Sequence, residues 1–122
     1  MKKILFVEDD PDQILMYQAK FEMEGFLMMV AGNERETLKL ALAEKPDLIL
    51  LDLLLKKENG LDVLEGLKKD ERLVKIPVII FTNYDKKELR ERSLAMGAAD
   101  FIIKAKVTPK EIVARVKQIV GE

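Results

Sequence analysis

The chain has 122 residues, 48% of them hydrophobic, and its 21 basic and 22 acidic side chains give a formal net charge of −1. This length predicts one domain with a core that needs no disulfide, and the charge balance lacks the basic excess of a nucleic-acid binder. The chain contains no cysteine and no histidine, which excludes disulfides, thiolate chemistry, imidazole bases and Cys- or His-based zinc sites.

The first half of the chain alternates short apolar runs with longer amphipathic segments. Ile4–Val7 is too short for a signal peptide or a membrane span, and its apolar character predicts a buried strand. Asp10-Pro11 then begins a helix that runs to about Glu24, because Asp is a good N-cap and Pro suits the first helical turn. The next predicted elements are a strand at Phe26–Ala31, a helix from Asn33 to about Glu44, and a strand within Asp47–Leu55.

The second half continues the alternation. Its predicted elements are a helix at Asn59–Asp70, a strand at Ile76–Phe81, a helix capped by Asp85 that runs to Met96, a strand at Phe101–Ile103, and a helix from Thr108-Pro109 to about Val120. The segments LILLDLLL and IPVIIF are apolar on both faces, as central parallel strands are. The pattern predicts an α/β fold, namely a flavodoxin-like, doubly wound (βα)5 sheet of five parallel strands in the order 2-1-3-4-5, with helices on both faces.

Acidic side chains fall at the predicted switch point of this sheet, where strands 1 and 3 end side by side. Glu8, Asp9 and Asp52 are therefore expected to converge, and a cluster of carboxylates needs a compensating proton or cation. Oxygen ligands of this kind suit Mg²⁺. Thr82 ends strand 4 and Lys104 ends strand 5, so a hydroxyl and an ammonium are expected at the same edge. The set predicts phosphoryl transfer with Asp52 as the nucleophile.

An acid at a strand end also has an ordinary structural interpretation. Most such residues are helix caps or solvated loop residues, and this interpretation suits Asp10, Asp12 and Asp85. It does not suit Asp52, because an acid that follows LILL in a central strand is costly to bury without a partner.

The chain resembles the receiver domain of two-component response regulators, of the standalone chemotaxis-regulator type, along essentially its whole length. ILFVEDD is similar to the family's acidic pair after strand 1, and PDLILLD is similar to its phosphoacceptor strand. Gly60 falls where the family has a glycine, and IPVIIFT and GAADFIIK match the last two strands. The resemblance implies that a sensor histidine kinase or a phosphotransfer protein donates a phosphoryl group to Asp52, with Mg²⁺ as the cofactor.

The resemblance also implies a role for each site residue. Asp9 and Asp52 would ligate Mg²⁺ together with the backbone carbonyl of Leu54, and Glu8 would act mainly through water. Thr82 and Lys104 would contact the phosphoryl group. Thr82 and Phe101 would form the switch pair, in which the hydroxyl moves toward the phosphate and the aromatic ring turns inward.

The expected output is a protein surface on helix 4, strand 5 and helix 5 that binds a downstream protein target. We expect residues 1–122 to form one receiver domain without an effector domain, cytoplasmic and not inserted in a membrane. Direct contact with nucleic acid is not expected, and the expected state is a monomer or a weak, phosphorylation-dependent dimer. Such a domain catalyses its own phosphorylation and dephosphorylation without being a conventional turnover enzyme.

The sequence departs from the family pattern at several positions. Lys56 and Ala105 stand where the family usually has proline, and a cis bond before a non-proline residue costs about 3 kcal/mol, which favours a trans bond after Lys104. Leu54 and Asn83 lie beside the acceptor, and we hypothesise that they restrict attacking water and lengthen the life of the phosphorylated form. An unchanged dephosphorylation rate in Leu54→Asn would contradict this hypothesis. Phe101 lacks a tyrosine hydroxyl but keeps the ring.

Three other functions compete with this interpretation. A haloacid-type phosphatase needs a second acid two residues after its nucleophile, and that position is Leu54. A flavodoxin-like FMN binder needs hydroxyls and glycines after strand 1, where EDDPDQ would repel a phosphate. A non-phosphorylated pseudo-receiver that acts as a docking module stays open as the alternative, and Lys56 and Ala105 favour it slightly.

Overall fold

The computed structural model describes residues 1–121. Strands and helices alternate along them as predicted. Strands β1–β5 are Lys3–Val7, Leu27–Ala31, Leu48–Leu51, Val78–Thr82 and Asp100–Ile103. Helices α1–α5 are Pro11–Met23, Glu34–Glu44, Gly60–Lys69, Lys87–Ala95 and Pro109–Val120, and a 3-10 helix at Lys104–Lys106 joins β5 to α5. Among the helices of this part of the chain, none has the length and apolar character needed to cross a membrane.

The strands form one parallel sheet in the order β2-β1-β3-β4-β5, which confirms the predicted flavodoxin-like topology. Val7 is in register with Leu51, so Glu8 and Asp52 leave neighbouring strands at the same level. The N–H of Asp52 donates to the carbonyl of Val7 over 3.1 Å. This register brings the acidic strand ends together at the carboxyl edge.

The sheet separates two hydrophobic clusters, because alternate strand residues point to opposite faces. In β3, Ile49 and Leu51 pack on the face covered by α2 and α3, whereas Leu48 and Leu50 pack on the face covered by α1 and α5. All four side chains are fully buried. The two-sided burial explains why the central strand is an uninterrupted apolar run.

The predicted N-caps Asp10 and Asn33 each accept a hydrogen bond from the first turn of their helix. Asn59 and Thr108, which begin two further predicted helices, cap them in the same way. The prediction that Asp85 caps α4 was wrong: the N-cap is Lys86, which makes no side-chain cap bond. Asp85 instead forms an exposed ion pair with Lys106 at 3.0 Å, because it lies one residue too early to reach the helix N–H groups.

Strand β3 is shorter than the apolar run predicts. It ends at Leu51, and the chain then folds back so that Leu54 forms an isolated antiparallel bridge with Asn59. The first residue of α3 must be a glycine, because a Cβ at position 60 would lie 2.5 Å from the carbonyl oxygen of Asp52. Gly60 therefore lets the first turn of α3 pack directly against the end of β3.

Candidate functional site

A cavity of about 240 Å³ opens at the carboxyl edge of the sheet, at the switch point between β1 and β3. The predicted site residues that line it are Glu8, Asp9, Asp52, Leu54 and Lys104. Thr82 reaches Asp52 from the end of β4. The structure thus brings the sequence-predicted residues to one place, although it arranges the acidic ones differently from the expectation.

Asp52 is 5% exposed, and both of its carboxylate oxygens accept hydrogen bonds. Oδ1 accepts from the hydroxyl of Thr82 at 2.7 Å and from the N–H of Leu54 at 2.9 Å. Oδ2 accepts from the ammonium of Lys104 at 2.7 Å. A buried carboxylate is tolerated here because hydrogen bonds and an opposite charge compensate for the lost water.

Lys104 is the cation at the centre of the site, and it is 6% exposed. Its ammonium donates to Glu8 Oε1, to Asp52 Oδ2 and to Gln13 Oε1. An ammonium has three N–H donors, so each donor has an acceptor. Gln13 was not singled out from the sequence, because the only local signal, an amide in the first turn of a helix, is ordinary.

The compensating charge for Glu8 and Asp52 therefore comes from Lys104. Burial raises the pKa of Glu8, and the hydrogen bond and charge of Lys104 oppose this effect. Burial alone would lower the pKa of Lys104, but the contacts with Asp52 and Glu8 outweigh it and the pKa is raised. The site holds a positively charged lysine between two acidic side chains. The cation that this cluster was expected to need is thus supplied to Glu8 and Asp52 by a side chain of the chain itself.

Glu8 and Asp9 point their carboxylates at different partners. Glu8 Oε2 accepts from the backbone N–H groups of Asp9 and Asp10 at 3.0 and 3.2 Å. Asp9 Oδ2 accepts from the N–H of Lys56 at 2.7 Å. Within residues 1–121 no three acidic side chains converge closely enough to form a metal site in advance. The three-carboxylate cluster is thus not assembled in this structure, and the Mg²⁺ ligand set stays a prediction.

The donor atoms around the cavity nevertheless suit Mg²⁺. Asp9 and Asp52 line the cavity and carry carboxylate oxygens, and Leu54 lines it as well. Mg²⁺ is usually held by one or two carboxylates and keeps several waters, for which a cavity of about 240 Å³ has room. The residues present therefore fit the ion by chemistry and by space.

The loop after Lys104 has a trans backbone, as the substitution of proline by Ala105 favours. No peptide bond in residues 1–121 is cis. The N–H of Ala105 donates to Asn83 Oδ1 over 2.8 Å, a bond that proline cannot make because it has no N–H. The residues that follow Thr82 and Lys104 are therefore joined directly, which links the β4–α4 loop to the β5–α5 loop.

Phe101, the predicted aromatic partner of the switch, is 3% exposed in this structure. The guanidinium of Arg90 lies 5.8 Å from the ring centroid, and its Nη1 donates to the Phe101 carbonyl at 3.4 Å. The ring is thus turned inward, and a cation from α4 covers it. The coupled movement of Thr82 and Phe101 stays a prediction.

Comparison with protein families gives one match over most of the chain. The family described as "Response regulator receiver domain" matches residues 4–117. The alkaline phosphatase synthesis transcriptional regulatory protein PhoP of Bacillus subtilis is 36% identical over 118 residues, which are 97% of this chain and 48% of that protein. The phosphate regulon transcriptional regulatory protein PhoB of Pseudomonas aeruginosa is also 36% identical, over 97% of this chain and 51% of that protein. The chain thus spans about half the length of these curated relatives.

Solved structures agree with the fold. The BeF3-activated N-terminal receiver domain of Klebsiella pneumoniae RstA has a TM-score of 0.89 and 29% identity, and it covers 99% of this chain and 100% of that one. The receiver domain of a signal transduction histidine kinase from Syntrophus aciditrophicus has a TM-score of 0.88 and 31% identity, over 99% of this chain and 91% of that one.

Proposed function

The chain belongs to the response regulator receiver family, and we propose that its Asp52 accepts a phosphoryl group from a phosphohistidine. The donor would be a sensor histidine kinase or a phosphotransfer protein. The observation that carries the proposal is the set of contacts made by Asp52, a buried carboxylate with the Thr82 hydroxyl on one oxygen and the Lys104 ammonium on the other. These are the groups that a phosphoryl acceptor needs around it.

The proposed reaction is a displacement at phosphorus. A carboxylate oxygen of Asp52 forms the new bond to phosphorus, the bond from phosphorus to the imidazole nitrogen breaks, and its electron pair stays on that nitrogen. Thr82 and Lys104 already donate to the two oxygens of Asp52. They can turn the same donors toward the oxygens of the phosphoryl group and so stabilise its charge.

Asp9, Asp52 and the backbone carbonyl of Leu54 are the groups that we propose to hold Mg²⁺, with Glu8 acting mainly through water. When bound, the ion would offset the negative charge that the phosphoryl group adds to an acidic cavity. A turn of the Asp9 carboxylate toward the ion would weaken the bond that its Oδ2 accepts from the N–H of Lys56. The Lys56 segment is therefore expected to move when the ion enters.

The proposed output is a change in the surface of α4, β5 and α5. Ser93 is the only residue of α4 that is buried, and Leu89 is partly buried against the core. A helix held by so few contacts is easily displaced. We propose that a downstream protein reads this surface, with a weak phosphorylation-dependent dimer as a further readout. A cytoplasmic location and the lack of direct nucleic-acid binding by these residues stay predictions.

The proposal is tested by intact-mass analysis after incubation with acetyl phosphate and Mg²⁺. We expect one added phosphoryl group on the wild type and none on Asp52→Asn or without Mg²⁺. Asp62→Asn removes an exposed acid from α3 and is the matched control, which should be phosphorylated like the wild type. Failure of the wild type with every small donor and with a phosphorylated kinase domain would favour the pseudo-receiver that acts as a docking module.

A further inference from the structure

Gln13 occupies a position in α1 that usually has a different task. It is the third residue of the helix, where a Gln side chain often reaches back to the N–H of the N-cap residue. Here the N-cap is Asp10, and its N–H is already bound by Glu8 Oε2 at 3.2 Å. Gln13 therefore does not serve the cap, and its amide oxygen accepts from Lys104 instead.

The three acceptors of Lys104 are not equivalent. Glu8 and Asp52 are charged and are 2% and 5% exposed, whereas Gln13 is neutral and only partly buried. An N–H of Lys104 that turned away from Glu8 or Asp52 would leave a buried carboxylate with one donor fewer, which is costly. The amide of Gln13 lines the cavity and can accept from water in place of Lys104. Gln13 is thus the partner that Lys104 gives up most easily.

We infer that Gln13 is a positioning residue that occupies the third N–H of Lys104 in the resting site and yields it to an oxygen of the phosphoryl group. The inference rests on the proposed function of Asp52. Both bonds start from the same ammonium, but a phosphoryl oxygen carries negative charge and the amide oxygen of Gln13 does not. Coulomb attraction therefore favours the exchange of Gln13 for a phosphoryl oxygen. Gln13 thus competes with the incoming phosphoryl group for this N–H of Lys104.

The inference predicts that two substitutions of similar size change the affinity for a phosphoryl mimic in opposite directions. Gln13→Met removes the competing oxygen, so we expect a phosphoryl mimic to bind roughly threefold more tightly. Gln13→Glu adds a charged competitor to Lys104 and a repulsive charge to the cavity, so binding should weaken roughly tenfold. A residue that only supported the fold would weaken binding in both variants.

The probe is beryllofluoride, which stands in for the phosphoryl group, titrated in the presence of Mg²⁺ and followed by NMR chemical shifts. Gln18→Met is the matched control, because Gln18 lies on the same helix and donates to the carbonyl of Met28 at 3.2 Å, away from the cavity. It should bind beryllofluoride like the wild type. A second measurement is the ¹H–¹⁵N signal of the Lys104 ammonium without ligand, whose protons should exchange faster in Gln13→Met only.

The outcomes separate the inference from the proposed function. The inference would be supported if beryllofluoride bound more tightly to Gln13→Met and more weakly to Gln13→Glu, and if the ammonium protons of Lys104 exchanged faster in Gln13→Met. Weaker or unchanged binding in Gln13→Met, while the wild type binds normally, would overturn the inference and leave the proposed function standing. No binding of beryllofluoride by the wild type would overturn both.

Discussion

The side chains of Thr82 and Asp52 are joined by a buried hydrogen bond of 2.7 Å that spans two neighbouring strands. The Thr82 oxygen also accepts from the N–H of Tyr84 at 3.2 Å. One hydroxyl thus connects the proposed acceptor with the loop that leads into α4. Any movement of this hydroxyl toward a phosphoryl group would be transmitted to that loop.

Replacement of Thr82 by valine removes the hydroxyl that makes both hydrogen bonds but keeps the branched shape of the side chain. Thr82→Val leaves Asp52 Oδ1 without its hydroxyl donor in a buried place, so we expect the free energy of unfolding to fall by about 1–2 kcal/mol. Thr82→Ser keeps the hydroxyl and should lie closer to the wild type. Urea unfolding measures the difference, and NMR shifts of Tyr84 on phosphorylation test the connection. Equal shifts in both variants would argue against it.

Loss of Lys104 should be more damaging. In Lys104→Met, Glu8 and Asp52 remain buried without their cation, and removal of one partner from a buried ion pair costs about 3–5 kcal/mol. Addition of Glu8→Gln should restore part of this loss, because one of the two charges is then neutral. Mg²⁺ should stabilise Lys104→Met more than it stabilises the wild type, as measured by urea unfolding with and without the ion. Equal stabilisation would show that the ion does not reach these carboxylates.

Replacement of two glycines of α3 by alanine should change the stability of the protein in opposite directions. At Gly60 a Cβ would lie 2.5 Å from the Asp52 carbonyl oxygen and from Leu53 Cα, so Gly60→Ala should cost about 3 kcal/mol by forcing the helix away. At Gly66 the Cβ would lie 2.9 Å from the end of the flexible Glu34 side chain and at an ordinary contact distance of 3.7 Å from Leu38. Gly66→Ala should therefore stabilise by about 0.5–1 kcal/mol. Thermal unfolding of both variants checks the pair, and a loss of stability in each would contradict it.

The contact between the ends of α1 and α5 predicts a pH dependence. The ammonium of Lys117 donates to Glu24 Oε1 over 3.1 Å. This hydrogen bond, with the charges of Lys117 and Lys20, lowers the pKa of Glu24 below its ordinary value of 4.5. A lowered pKa in the folded state stabilises the protein above the unfolded-state pKa, and the contribution disappears as the pH falls through the folded-state value. The wild type should thus exceed Glu24→Gln in stability at neutral pH, and the difference should vanish in stronger acid. Urea unfolding as a function of pH measures it; a difference independent of pH would exclude the ion pair as its cause.

The buried hydroxyl of Ser93 gives a stabilising substitution. Among the residues that the structure describes, its Oγ is the one buried side-chain polar atom without a hydrogen-bond partner. Ser93→Ala removes this unsatisfied group, so the free energy of unfolding should rise by about 1 kcal/mol. Thr37 is equally buried, but its hydroxyl donates to the Asn33 carbonyl at 2.7 Å. Thr37→Val should therefore destabilise, and equal effects in the two variants would contradict the interpretation.

Local signals explain why much of this structure was predictable. The caps at Asn33 and Thr108 act within one helical turn, and the apolar run before Asp52 fixes a central strand whatever the rest of the chain does. The parallel order of strands then brings Glu8 and Asp52 to one edge. Fold and site location follow from short-range patterns combined with one topological rule.

Side-chain directions inside the site were not predictable in the same way. Gln13 contacts a lysine 91 positions away in sequence, and Asp9 turns to the N–H of Lys56, 47 positions away. Such contacts depend on which rotamers fit after the loops have met, and no local pattern encodes that choice. Asp85 shows the same limit, because α4 begins one residue later than its residue type suggests and its carboxylate lies beside Lys106 instead.

The exposure of most of α4 also has a consequence for how the sequences of such proteins diverge. Since only Ser93 of this helix is buried, nearly every other position on it can change at a cost within about 0.5 kcal/mol. Sequence changes can therefore accumulate on α4 while the residues around Asp52 stay the same.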